Sequence, residues 1–117
     1  HMAKLDLTSK IERLEAFEER LGVDFKSISA FMDLDDDYDE DSYLTVDVRG
    51  EIHSASGMQI DQDIIVVFAA YDDLDRIIGT SEARFYSDDF FGLDTFSESV
   101  NISIPNISKI RVYPKKN

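Results

Sequence analysis

Cysteine and tryptophan are absent from this 117-residue chain, and proline occurs only twice. Without Cys there is no disulfide, thiolate zinc site, iron–sulfur cluster or cysteine nucleophile, although a chain without Cys suits any compartment. Without Trp, a common stacking platform for sugars is missing. Bases are scarce too: 12 stand against 25 acids, a net charge of −13. That field repels phosphate backbones, so nucleic acid is not an expected partner. Long apolar runs are also lacking, since the longest, Ile64–Tyr71, falls far below the roughly 20 residues that cross a bilayer. No signal-peptide core stands near the amino end, so the expectation is a soluble, cytoplasmic protein with no membrane insertion. His1-Met2 reads as a cloning remnant, with Met2 either a native start or the edge of a longer chain.

What remains, 43% hydrophobic and 32% charged residues, suits one compact globular core. The charge is unevenly placed. Residues 1–32 hold five bases and six acids, whereas residues 33–41 hold seven acids and no base. The acidic run therefore divides an amino-terminal segment, residues 3–32, from the region 43–117, with residues 33–42 as a linker or loop.

Residues 3–32 read as helical. Ser9 and Glu12 have the spacing of a capping box, which predicts a helix beginning near Lys10. Ile11, Leu14, Phe17 and Leu21 then recur at helical spacing, and Gly22 can supply the left-handed residue that ends the helix. This apolar stripe either packs on the domain's own sheet or, because Leu7, Leu14 and Leu21 share a heptad position, pairs with a second copy. Phe25, Ile28, Phe31 and Met32 fit a further helical turn or a first strand equally well.

Beyond residue 43 the period changes to two. Leu44, Val46, Val48 and Ile52 alternate with Thr45, Asp47, Arg49, Glu51 and His53, the pattern of a strand with one wet face. Ile64–Tyr71 is apolar on both faces, as for a covered strand, and Asp72-Asp73-Leu74-Asp75 offers turn chemistry for a hairpin returning over residues 76–86. Phe96, Glu98, Val100 and Ile102 predict another strand, and residues 107–113 a last one. Strands joined by short loops predict an immunoglobulin-like antiparallel β-sandwich preceded by one amphipathic helix.

Phe68-Ala69-Ala70-Tyr71-Asp72 followed by Arg76-Ile77-Ile78-Gly79-Thr80, with Arg49-Gly50-Glu51-Ile52 before them, resembles the FxLYD family of small prokaryotic β-sandwich domains over residues 43–113. The resemblance implies an immunoglobulin-like fold, a largely unassigned function and no catalytic residues to carry over.

Three features point to chemistry. Asp33, Asp35, Asp37, Asp39 and Asp41 have the alternate oxygen spacing of a calcium loop, yet Tyr38 stands where an EF-hand needs Gly and Leu44 where it needs Glu. If residues 43–53 run antiparallel to residues 60–71, the run meets Asp72, Asp73 and Asp75 at one end of the sheets, where oxygen ligands alone would favour Ca2+. The bland alternative is a solvated linker. Phe90, Phe91 and Leu93 form an apolar cluster among acids, either a contact surface or a plug for the end of the sandwich. His53, the one histidine apart from His1, and its neighbour Ser54 face opposite sides of their strand and so form no ready nucleophile–base pair. No phosphate-cradling loop, zinc pair or nucleophile elbow occurs. The expected role is a non-catalytic interaction or accessory module for a protein partner, another domain or a second copy, working through residues 90–93 and the stripe of Leu14, Phe17 and Leu21. A calcium-responsive sandwich is the alternative, and no other cofactor is expected.

Overall fold

A computed structural model describes residues 3–34 and 44–117. In chain order the elements are β1 (Ala3–Asp6), β2 (Ile11–Arg13), α1 (Glu15–Leu21), β3 (Val23–Leu34), β4 (Leu44–Ser54), β5 (Ile64–Tyr71), β6 (Ile77–Phe85), β7 (Leu93–Ile102) and β8 (Lys109–Lys116). They form two four-stranded sheets, in the orders β1-β3-β4-β7 and β2-β8-β5-β6. All pairings are antiparallel except β2 with β8. One buried core draws on both sheets, with Phe25, Val46, Val48 and Val100 from the first and Ile64, Val66, Phe68, Ile110 and Val112 from the second. No helix among the described residues is long and apolar enough to cross a membrane.

The two strands with the clearest patterns behave as their sequences require. β4 buries Val46, Val48 and Ile52 and leaves Asp47, Arg49 and Glu51 on the wet face. β5 is buried on both faces. Its outward Ile65, Val67 and Ala69 lie in register with Arg84 and Lys115, Glu82 and Tyr113, and Thr80 and Arg111. Long neighbouring side chains can cover such residues with their stems.

Three expectations are corrected. Residues 3–32 are not a helical segment: they give three strands that join both sheets, and the helix is confined to Glu15–Leu21. Ser9 lies in a 3-10 turn and caps nothing, because Glu12 is already on a strand and turns its carboxylate to Arg111 at 2.9 Å and Lys109 at 3.7 Å. The heptad fails with it, since Leu7 is buried outside the helix. Finally, β4 does not pair with β5. The two lie in different sheets, and β4 sits between β3 and β7. The immunoglobulin pattern separates its second and third strands into different sheets, whereas β3 and β4 here are neighbours in one.

Two other readings hold. The helix ends at Gly22 in the left-handed conformation (φ 69°) and lies against β8 and β3, its own domain. β3 resolves the ambiguity of residues 25–32 as a strand with a bulge. Ser27 adopts φ 54° and the register with β4 shifts between Lys26 and Ser29. Opposite the bulge, a Cβ on Gly50 would stand 2.8 Å from the Phe96 ring and 3.2 Å from Ile28 Cα, so only glycine fits without displacement.

Candidate functional site

The end of the molecule that carries the β4–β5 and β6–β7 connections presents the most exposed apolar side chains. Phe90 is extended, Gly92 bends the chain with positive φ, and β7 begins at Leu93, so the apolar side chains here part to different sides. Phe90 turns inward, 2% exposed, and meets Phe85 edge-on at 6.4 Å between ring centroids. Phe91 turns outward and is 78% exposed. Leu93, 49% exposed, stands opposite His53 on the outer face of the first sheet. The cluster is thus divided: Phe90 is packed inward as a plug, and Phe91 and Leu93 are exposed.

The backbone of this turn is fixed. Ser54 N–H donates to Gly92 O at 2.9 Å, and Gly57 N–H to Ser54 O at 3.0 Å. Gly92 has φ 102°, and a Cβ there would lie 2.8 Å from Gly57 O. This back-to-back packing brings Met58, 71% exposed, alongside residues 91–93. The two connections also contribute Asp61, Asp63, Asp88 and Asp89, with Asp94 following on β7, and no base. Apolar side chains ringed by charge on an ordered turn can exclude water against a partner. Because Phe91 touches no core, Phe91→Ser is expected to change stability by less than about 0.5 kcal/mol. A thermal melt of that variant checks it, and a large fall would mean the ring is buried.

The acidic hairpin is a different kind of structure. Asp72 is buried, and its Oδ1 accepts from the N–H groups of Leu74 and Arg76, each at 2.9 Å, while Oδ2 accepts from Arg76 Nε at 2.8 Å. Ser108 Oγ donates to Asp72 O at 2.6 Å, tying the turn to the approach of β8. Asp72 therefore caps its own turn, and both its oxygens are engaged. Asp75 faces Lys109 Nζ at 3.4 Å, and Asp73 is exposed. Asp35, Asp37, Asp39 and Asp41 lie outside the described residues. Asp33 stands opposite Lys4 in the register of β3 with β1. Among the described residues, no group of three or more His, Asp or Glu is placed to hold a metal ion.

Arg76 N–H, followed by its guanidinium and Leu74 N–H, holds the Asp72 carboxyl below its ordinary value against the opposing effect of burial. A carboxyl depressed in the folded state stabilises the protein above its unfolded value, about 3.9, and that contribution is lost as pH falls through the lower folded value. Asp72→Asn is therefore expected to melt lower than the parent at pH 7, with the difference shrinking below about pH 4. A constant difference down to pH 2 would contradict this role.

The helix stripe divides as well. Leu14 and Leu21 are half-buried, and Leu21 packs on the core. Phe17, 37% exposed, meets Tyr113 edge-on at 5.8 Å. Beside it lies a groove of about 230 Å³ lined by Phe17, Arg20, Leu21, Pro114, Lys115 and Lys116. On the other side of the helix is a polar cleft of about 380 Å³. There Arg13 binds buried Glu18 through Nε at 3.2 Å and through Nη2, and reaches Asp24 at 2.8 Å. The reading of this helix as an apolar stripe omitted Glu18. Its signal was its place at the i+4 position from Leu14 and the i−3 position from Leu21, a charge on the buried face.

His53 stands on the wet face with Nε2 3.0 Å from Glu51 Oε1. Ser54 points the other way and donates to Gln59 O at 3.1 Å. Comparisons with family models, with curated proteins and with solved structures found no match.

Proposed function

We propose that this chain is a non-catalytic interaction module that holds a protein partner at the end formed by Met58, Phe91 and Leu93. The observation that carries this reading is Phe91, a large aromatic left 78% exposed on a turn whose backbone is fixed by glycine packing. With the turn beneath it fixed, only the ring's own two torsions need ordering on docking, so less entropy is lost. β7, the last strand of its sheet, begins at Leu93 beside it, and further along it lies against β6 through Ser81 with Glu98 and Gly79 with Asn101.

The scaffold is read as an immunoglobulin-like sandwich of the FxLYD type. Support comes from the amino-terminal strands, which are shared between the sheets as β1 against β3 and β2 against β8, and from the Phe68–Asp72 hairpin. The connection from β3 to β4 within one sheet makes it a variant of that pattern.

Selection of random dodecapeptides displayed on phage tests the interaction. Sequences enriched on the parent protein are expected to lose retention on Phe91→Ser/Leu93→Ser, whose fold is checked separately by melting. Equal retention on both proteins would overturn this surface as the working one.

A further inference from the structure

The groove between α1 and the end of β8 runs against the charge of the whole molecule. In a chain with 25 acids and 12 bases, its lining holds Arg20, Lys115 and Lys116 and no acid. Among the described residues none of these three cations stands in an ion pair. Arg20 instead lies 5.6 Å from the centre of the Phe17 ring, itself propped by Tyr113. The floor is apolar, made by Phe17, Leu21 and buried Pro114. Local cations dominate at short range, since at physiological salt a charge is screened beyond about 8 Å.

We propose that this groove binds an acidic peptide segment of another protein, with one aromatic or branched aliphatic side chain as its anchor. Two features fix that chemistry. A volume of about 230 Å³ lies below the roughly 300–1,000 Å³ of small-molecule sites, so it suits a single side chain rather than a whole ligand. Three cations at the rim then select carboxylates flanking the anchor, which give register and discriminate against neutral or basic sequences. This surface is distinct from the Phe91 turn, so either can fail without the other.

The test uses a fluorescent peptide, Gly-Glu-Glu-Trp-Glu-Glu-Gly, titrated with the whole protein and followed by anisotropy. Saturable binding is expected below about 1 mM, equivalent to roughly 4 kcal/mol. It should weaken at least about tenfold with Lys115→Glu/Lys116→Glu, whose side chains are exposed at the strand end. A similar loss is expected on replacing the peptide's Trp by Gly. Backbone amide shifts should fall on α1 and the end of β8. Since Arg20→Glu could disturb the helix terminus, the two lysine changes are the deciding variant. Absence of saturation, binding indifferent to the lysine changes, shifts confined to other surfaces, or sedimentation showing copies associating through this groove would each overturn the proposal.

Discussion

Phe68→Ala is expected to destabilise the domain by about 3–5 kcal/mol, the usual cost of deleting a buried aromatic side chain. Phe68 is fully buried in the middle of β5, between Ser81 of β6 and Val112 of β8. Its ring centroid is 5.4 Å from that of Phe96, which in turn meets Phe25 at 6.0 Å. This chain of rings runs from one sheet to the other, so a cavity at its β5 end removes the ring contact that joins the two sheets. Collapse is also restricted. Phe96 lies over Gly50, whose absent side chain leaves the ring its place, and cannot advance without losing that contact. Set against a total of roughly 5–15 kcal/mol, the loss should populate unfolded chain near physiological temperature. For a domain of this length it corresponds to a fall in Tm of roughly 12–20 °C. Phe68→Leu, which keeps most of the volume, should cost less than about 1.5 kcal/mol. Urea and thermal melts decide the matter, and a melting point for the alanine variant within a few degrees of the parent would mean that these rings do not hold the sheets together.

The strands of this core were legible because their burial is written locally. β4 and β7 alternate, and β5 carries apolar residues on both faces, a pattern that only a strand covered twice can satisfy. Asp72 was legible for a similar reason, as its turn is built from neighbours in sequence. The amino-terminal strands carry no such signal. β2 is three residues long and owes its conformation to a parallel partner about a hundred positions away. Glu12 satisfied a capping pattern by spacing, yet its carboxylate is held by Arg111, a partner that local sequence cannot name. In β3 the difficulty is phase. Val23 and Phe25 turn inward before the bulge at Ser27, and Ala30 and Met32 after it. One extra residue moves the buried set from odd to even positions and erases the alternation.

The candidate surfaces followed the same division. The apolar character of residues 90–93 was visible, but its partition between Phe90 and Phe91 depends on the positive-φ bend at Gly92 and on the contact of Gly92 with Gly57. The groove beside α1 was half visible. Phe17 and Leu21 belonged to the stripe, whereas Lys115 and Lys116 reach the groove only because β8 lies between β2 and β5.

Removal of Arg13 should have the second largest effect. Its guanidinium holds Glu18 from α1 by two hydrogen bonds and Asp24 from β3 by a third, so one side chain on an edge strand joins three elements. Phe25 N–H adds a longer bond to Glu18 at 3.4 Å. In Arg13→Leu the Glu18 carboxylate would remain buried with only that amide for company. Breaking one side of a buried pair costs about 3–5 kcal/mol, and because the Arg13 side chain is 29% exposed, about 2–3 kcal/mol is the expected loss. Glu18→Leu alone removes the buried charge and should cost less. The double variant Arg13→Leu/Glu18→Leu should recover much of the stability lost by Arg13→Leu, since an apolar pair of similar volume needs no desolvated partner. A double-mutant cycle on thermal melts separates this coupling from changes in packing. Purely additive effects of the two substitutions would show that the fork contributes nothing to holding the helix, leaving Leu21 and Phe17 as its attachment to the sheets.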